Sequence, residues 1–343
     1  MNILKIVFLA SDAMAIPVME YLYDQPSIDF AALITQPDRP TGRGKKLQKS
    51  AVKLWAESKG ITIFQPERLG QADVVWLEEA GVGLILLMAY GQLLPKSFLE
   101  AAPLGAYNFH VSILPSYRGA SPVPAAIASG DRESGVTLMK MVQKMDAGPI
   151  VDVEKVDIDP WDTSKSLTEK LSHACIPLIE SHLRAIASGS AQLIPQDDSR
   201  ATYVRKLTKE DGVLDFLAPA SVVDHRVRAL NPWPTTFIEV GGVRLKVGRA
   251  KVVSDSKLDN NKELPGEVLG FFDDFLAIQT GEGVLGLQEL QRPGGKMLPV
   301  AEFLRGFPID PGTIIPSNPM PAFISDQPFP YRKKIKKQIE PED

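Results

Sequence analysis

The stretch Asn108-Phe109-His110 sets an amide and an imidazole at alternate positions where an apolar run ends. On a regular strand, side chains two residues apart point to the same side. An amide donor beside an imidazole can hold the negative oxygen that develops when a nucleophile adds to a carbonyl. The alternative reading is a capping asparagine and a satisfied structural histidine. Behind the pair lies the loop "SILPSYRGASPVP", and loops of this kind on a rigid scaffold often line a site. A second candidate is Asp146 in "MVQKMDAGPIV", with Gly148 and Pro149 behind it. A carboxylate there could face His110 and fix the orientation of its ring. The competing reading is a turn aspartate serving its own backbone.

A third feature is the run "QPDRPTGRGKKLQKSAVK", Gln36 to Lys53. It gathers Arg39, Arg43, Lys45, Lys46, Lys49 and Lys53 against Asp38 alone, in a chain whose net charge is −4. Its two prolines and two glycines suggest a long mobile loop. A basic loop near an active-site edge suits a phosphate-rich macromolecule, and a merely solvated loop is the alternative.

The elements that must position these residues alternate in type. "ILKIVFLA", "FAALIT", "ITIF", "VGLILLMA", "GAYNFH" and "GVTLMKM" read as strands. "IPVMEYLY", "AVKLWAESKG" and the long stretch Ser164–Gly189 read as helices. Apolar strands separated by helices belong to a parallel sheet covered on both faces. This predicts a doubly wound α/β domain to about residue 190. It places His110 at a strand's carboxyl end, where ligands bind in open sheets. The polar segment after Gly189 reads as a linker. Beyond Leu214, short β-rich runs hinged at glycines suggest a small β-barrel or sandwich, with a helix near "ASVVDHRVRAL". The Pro-rich tail from Pro316 is expected to be poorly ordered or to lie along the surface.

Composition narrows the function classes. The chain has 343 residues, 44% hydrophobic and 23% charged, enough to bury a sizeable core in two domains. The acidic balance assigns any nucleic-acid binding to a local patch. One cysteine, Cys175, excludes an internal disulfide framework and is expected to be a small packed helix residue. No metal is expected, because the four histidines form no ligand-spaced cluster. His173, His182 and His225 lie in helical patterns and read as structural or exposed. The glycine-rich dinucleotide fingerprint and the P-loop are absent from the sequence. The run Ile6–Ala10 is short for a signal peptide and reads as a first buried strand. No apolar run approaches a membrane span, so a soluble cytoplasmic protein is expected.

Taken together, "NFHVSILPSYRGASP" and the aspartate that follows as Asp146 resemble the signature of the formyltransferase family that uses 10-formyltetrahydrofolate. "QPDRPTGRGKKL", "LMAYGQLLP" and "ALNPWPTTF" resemble the branch of that family whose acceptor is methionyl initiator tRNA, and the similarity runs from Ile6 to about Gly312. The resemblance implies a Rossmann-like catalytic domain over 1–190, a linker over 191–207 and an OB-like β-barrel over 208–315 that assists tRNA binding. A Pro-rich and basic tail, 316–343, is left over. It implies catalytic roles for Asn108, His110 and Asp146. It places the folate against Met88, Ala89, Tyr90, Gly91 and Gln92 and against Ser112, Ile113, Leu114 and Pro115. It implies tRNA contacts from Arg39, Arg43, Lys45, Lys46 and Lys49, with Arg43 entering the acceptor end. A monomer is expected. This chain departs from the family pattern at Val111, where glycine is usual, and at Ala10-Ser11-Asp12, where Gly-Thr-Pro is favoured.

Overall fold

The computed structural model describes residues 3–41, 46–254 and 263–329. Its N-terminal half is built on a seven-stranded sheet. The spatial order is Ile150–Asp157, Glu133–Lys140, Ala106–His110, Leu84–Met88, Leu4–Ala10, Ile28–Ile34 and Thr62–Phe64. Strand pleating sorts alternate side chains into two cores. Ile6, Phe8, Leu84, Leu86, Tyr107 and Phe109 pack on one face with the helices Ile16–Tyr23 and Ser164–Ala187. Val7, Leu9, Ile85, Leu87 and Ala106 pack on the other with Gln71–Glu79 and Lys96–Leu99. Burial on both faces is why these strands read as unbroken apolar runs. The expected Rossmann-like architecture is therefore present. Cys175 lies buried in the long helix with its thiol on the Leu171 carbonyl, and burial pushes its pKa far up.

One strand corrects the sequence reading. Glu133–Lys140 runs antiparallel to Ala106–His110, pairing Thr137 with His110 and Lys140 with Tyr107. Ile150–Asp157 then returns antiparallel to Glu133–Lys140. An apolar run reports burial on both faces but carries no information on strand direction.

The C-terminal half, expected to be a small β-barrel or sandwich, is an antiparallel sheet unit. Its strands run in the order Thr236–Val240, Val243–Val253, Val284–Gln291, Phe275–Gln279 and Val268–Phe272, with Leu298–Pro299 beside Val284–Gln291. The helix Ala220–Ala229 joins the halves. Its Val223 and Val227 enter the C-terminal core and its Ala229 the N-terminal one. The Ala229 carbonyl accepts a bond from Ser164 Oγ, and Arg228 donates to the Asp162 carbonyl. Among the described residues no helix is long and apolar enough to cross a membrane.

A buried ion cluster pins the remaining segments. Asp211, with 0% exposure, accepts from Arg205 at 2.6 and 2.9 Å and from the Thr208 N–H at 2.6 Å. Buried Arg226 donates to the Asp211 carbonyl and to the Pro321 carbonyl. Of the two expectations for the tail, the segment through residue 329 takes the second and is held along the surface. Phe323 is 2% exposed under the Arg226 guanidinium, and Ile324–Ser325 pairs with Tyr203–Val204. Proline-rich composition signals little core-forming surface, but one buried aromatic and several carbonyls taken by arginines suffice to anchor it.

Burial pushes the Asp211 carboxyl up. The Arg205 hydrogen bonds, the Thr208 N–H and the two guanidinium charges outweigh that and hold it below the usual carboxylate range. Its contribution to stability is complete above the unfolded pKa of ~3.9 and disappears as pH falls through the lower folded value. Asp211→Asn should cost about 3 kcal/mol at pH 7, because it leaves buried guanidinium charge uncompensated. Urea melts at pH 7 and below pH 4 check this: the gap between variant and wild type should narrow in acid.

Candidate functional site

Asn108 and His110 lie on the Ala106 face of their strand, while Tyr107 and Phe109 fill the opposite core. Asn108 is 8% exposed and His110 6%. The Asn108 amide makes no hydrogen bond to the described residues, and its polar atoms are not sealed in the core, so its tip stays open on the side where a ligand would stand. His110 Nε2 stands 3.0 Å from the Tyr117 carbonyl. A carbonyl only accepts, so Nε2 carries the proton and Nδ1 of the neutral ring keeps its lone pair. That Nδ1 lies 3.8 Å from Asp146 Oδ1. The gap is too long for a hydrogen bond and short enough for an ion pair once the ring is charged.

Asp146 reaches His110 by folding back. Its loop leaves the Lys140 end of an antiparallel strand, beside Tyr107, not beside His110. Three residues of strand separate those ends, about 10 Å, and the loop from 141 to 149 spans that distance. Asp146 takes a left-handed backbone with φ 50°, and its Oδ2 accepts the Gly119 N–H at 2.8 Å. Gly119 has φ 123°, and a Cβ there would strike the Val204 carbonyl, so only glycine fits. The strand Tyr203–Val204, within the expected linker, pairs with Arg118–Gly119. Thr202 also serves this loop: its hydroxyl accepts the Tyr117 N–H at 2.8 Å and its carbonyl the Arg118 N–H at 2.8 Å.

The segments expected to meet the folate flank His110 unevenly. Met88 is fully buried and packs against Cys175, on the face away from Asn108. Tyr90 is a core residue too; burial pushes its phenol up to about 12. Ala89, with φ 50°, and Gly91, with φ 78°, are exposed and present backbone instead of side chain. Gln92 is half-buried. In the second segment Ser112 is fully buried and spends its hydroxyl on the Ser116 carbonyl at 2.6 Å. Leu114 is buried, so Ile113 and Pro115 form the accessible side of that turn. Val111 packs against the Phe109 core, which is how a β-branched residue is accommodated beside His110.

Ser11 carries a linking role that sequence reasoning missed. Its hydroxyl donates to the Tyr90 carbonyl at 3.1 Å and accepts the Gln36 N–H at 3.2 Å, while its N–H bonds the Ala89 carbonyl. It ties together the loops after three neighbouring strands. The basic run is a hairpin at its base, not a free loop: Arg39–Thr41 pairs antiparallel with Lys46–Gln48. Arg39 is paired with Glu67 at 2.6 Å and Lys49 with Glu57 at 2.8 Å, both on the surface. Lys53 is tied to Asp38 at 2.7 Å and to Gln65. Arg43 and Lys45 lie outside the described residues, as does the side chain of Lys46.

The family model described as formyl transferase matches residues 1–179, and that of the formyl transferase C-terminal domain matches 206–308. A methionyl-tRNA formyltransferase of Lachnospira eligens is 37% identical over 314 residues, covering 91% of this chain and 99% of its own length. One from Pseudomonas putida is 38% identical over 296 residues, covering 86% and 93%. The chain belongs to the methionyl-tRNA formyltransferase family. Among solved structures, the sugar 3N-formyl transferase WlaRD, determined with dTDP and 5-N-formyl-THF, aligns with a TM-score of 0.61 at 17% identity. It covers 86% of this chain and 100% of its own. The Helicobacter canadensis N-formyltransferase, in complex with folinic acid and dTDP-3-aminofucose, gives 0.60 at 17%, covering 85% and 100%. At that identity the likeness concerns the fold.

Within this formyltransferase framework the turn after His110 hangs on one hydroxyl. Thr137, fully buried, donates to the Ser112 carbonyl at 2.6 Å and accepts the Leu114 N–H at 3.1 Å. Thr137→Val keeps the shape but strands two buried backbone groups. It should cost about 1–3 kcal/mol per group and open residues 112–116 to protease, which thermal melts and limited proteolysis measure.

Proposed function

We propose that this chain transfers the formyl group of 10-formyltetrahydrofolate to the α-amine of methionyl initiator tRNA, working as a monomer in the cytoplasm. The observation that carries the reading is the unpartnered, solvent-reachable Asn108 amide beside an imidazole whose free nitrogen faces a carboxylate. The folate supplies an activated formyl group. The exposed backbone at Ala89 and Gly91 and the accessible Ile113–Pro115 edge suit a flat ring with an amide-like tail.

The roles of the side chains then follow. The Asn108 amide donates to the formyl oxygen as it turns negative. His110 Nδ1 takes the proton released by the attacking amine, since its Nε2 proton is committed to the Tyr117 carbonyl, and returns it to the folate nitrogen as that nitrogen's bond to the formyl carbon breaks and tetrahydrofolate leaves. Asp146 faces the resulting imidazolium and stabilises it, closing the 3.8 Å gap as the site fills. The expectation that Asn108 and His110 both donate to the oxyanion is thereby divided: Asn108 holds the oxygen and His110 handles the proton. Arg43 meets the acceptor end of the tRNA, and the C-terminal unit supports its backbone.

Asn108→Ala should lower kcat by about 10²–10³, and His110→Ala by about 10²–10⁴, with melting temperatures unchanged. Steady-state transfer to methionyl initiator tRNA measures this. A kcat near wild type for either variant contradicts the assignment. Arg43→Ala should raise KM for the tRNA and weaken its salt dependence while leaving folate KM unchanged; unchanged tRNA kinetics contradict that role.

A further inference from the structure

We propose that Gln196 is a positioning residue for Asp146, acting on its backbone. The inference rests on the reading of Asp146 given above. Gln196 lies in the segment between the two matched domains, 1–179 and 206–308. Its Nε2 donates to the Asp146 carbonyl at 2.9 Å and to the Gly148 carbonyl at 2.7 Å. Its Oε1 accepts from Arg118 Nε at 3.1 Å and Nη2 at 2.7 Å. Both amide hydrogens and both oxygen lone pairs are thus in use. Turning the amide over would set oxygen against two carbonyls and NH2 against a guanidinium, so its orientation is fixed.

Arg118 fixes the clamp in turn. It is fully buried, and its Nη1 pairs with Asp198 at 2.8 Å. Asp198 also pairs with Lys144, in the loop that carries Asp146. These two cations, Lys144 first, hold the Asp198 carboxyl below its usual range.

The Asp146 loop needs such a clamp. A left-handed backbone is disfavoured for a residue with a Cβ and persists only where its surroundings over-determine it. Gly119 holds the side chain through Oδ2, whereas Gln196 holds the main chain at 146 and 148. The two together set where the carboxylate stands relative to His110 Nδ1.

The test is Gln196→Glu, which keeps the size and the acceptor for Arg118 but replaces both N–H donors with an oxygen facing two carbonyls. Formyl transfer from 10-formyltetrahydrofolate to methionyl initiator tRNA should show kcat lowered about 10- to 100-fold, with KM for both substrates within about twofold. Gln196→Met, which removes the donors without adding charge, should behave alike and is the variant read if Gln196→Glu does not fold. In an Asp146→Asn background, either change should cost little more, because it acts through Asp146. Wild-type kcat in both Gln196 variants, or full additivity with Asp146→Asn, overturns the proposal while leaving the role of Asp146 intact. A wild-type kcat for Asp146→Asn alone overturns the reading of Asp146, and the positioning role with it.

Discussion

A carboxylate held nearly out of water must receive its hydrogen bonds from the protein, and Asp146 receives one from the Gly119 N–H at 2.8 Å. Its side chain is only 12% exposed. Much of the architecture around the site follows from delivering that donor. Gly119 must lie against the Val204 carbonyl, which demands glycine there and a strand from the interdomain segment behind it. Tyr117, two residues earlier, then offers its carbonyl to His110 Nε2. One short loop thereby fixes the carboxylate and the tautomer of the imidazole together. The strand Ile324–Ser325 pairs behind that segment in turn, so even the start of the tail belongs to the scaffold of the site.

The sequence was legible where burial alone decides structure. Runs such as Leu84–Met88, buried on both faces, could only be interior strands, and the helix Ser164–Ala187 showed its period over its whole length. Asn108 and His110 could be placed on one face because pleating has a period of two. Direction was not legible: Glu133–Lys140 is apolar enough to be read as one more parallel strand and is antiparallel. The edge strand Ile150–Asp157 escaped because much of it is exposed and charged.

The partners of the site were less visible still. Gln196 sits in a stretch whose polarity and turn residues mark it only as a connection, and its four hydrogen bonds are made to residues 48 to 78 positions away. Composition has no term for such contacts. Ser11 reads as a departure from the family pattern, yet its small hydroxyl bridges three loops. Met88 and Ser112 also stand within motif segments, and their side chains are spent in the core and on the Ser116 carbonyl. A motif marks which segment approaches a ligand, whereas packing decides which side of it does.

The most direct test of the central claim is transfer of labelled formyl from 10-formyltetrahydrofolate to methionyl initiator tRNA, beside elongator methionyl-tRNA and an amino-sugar nucleotide. Rapid transfer to the initiator alone is the predicted result. Transfer to the amino-sugar nucleotide with none to the initiator tRNA would contradict the account and leave only its chemistry of Asn108, His110 and Asp146 standing.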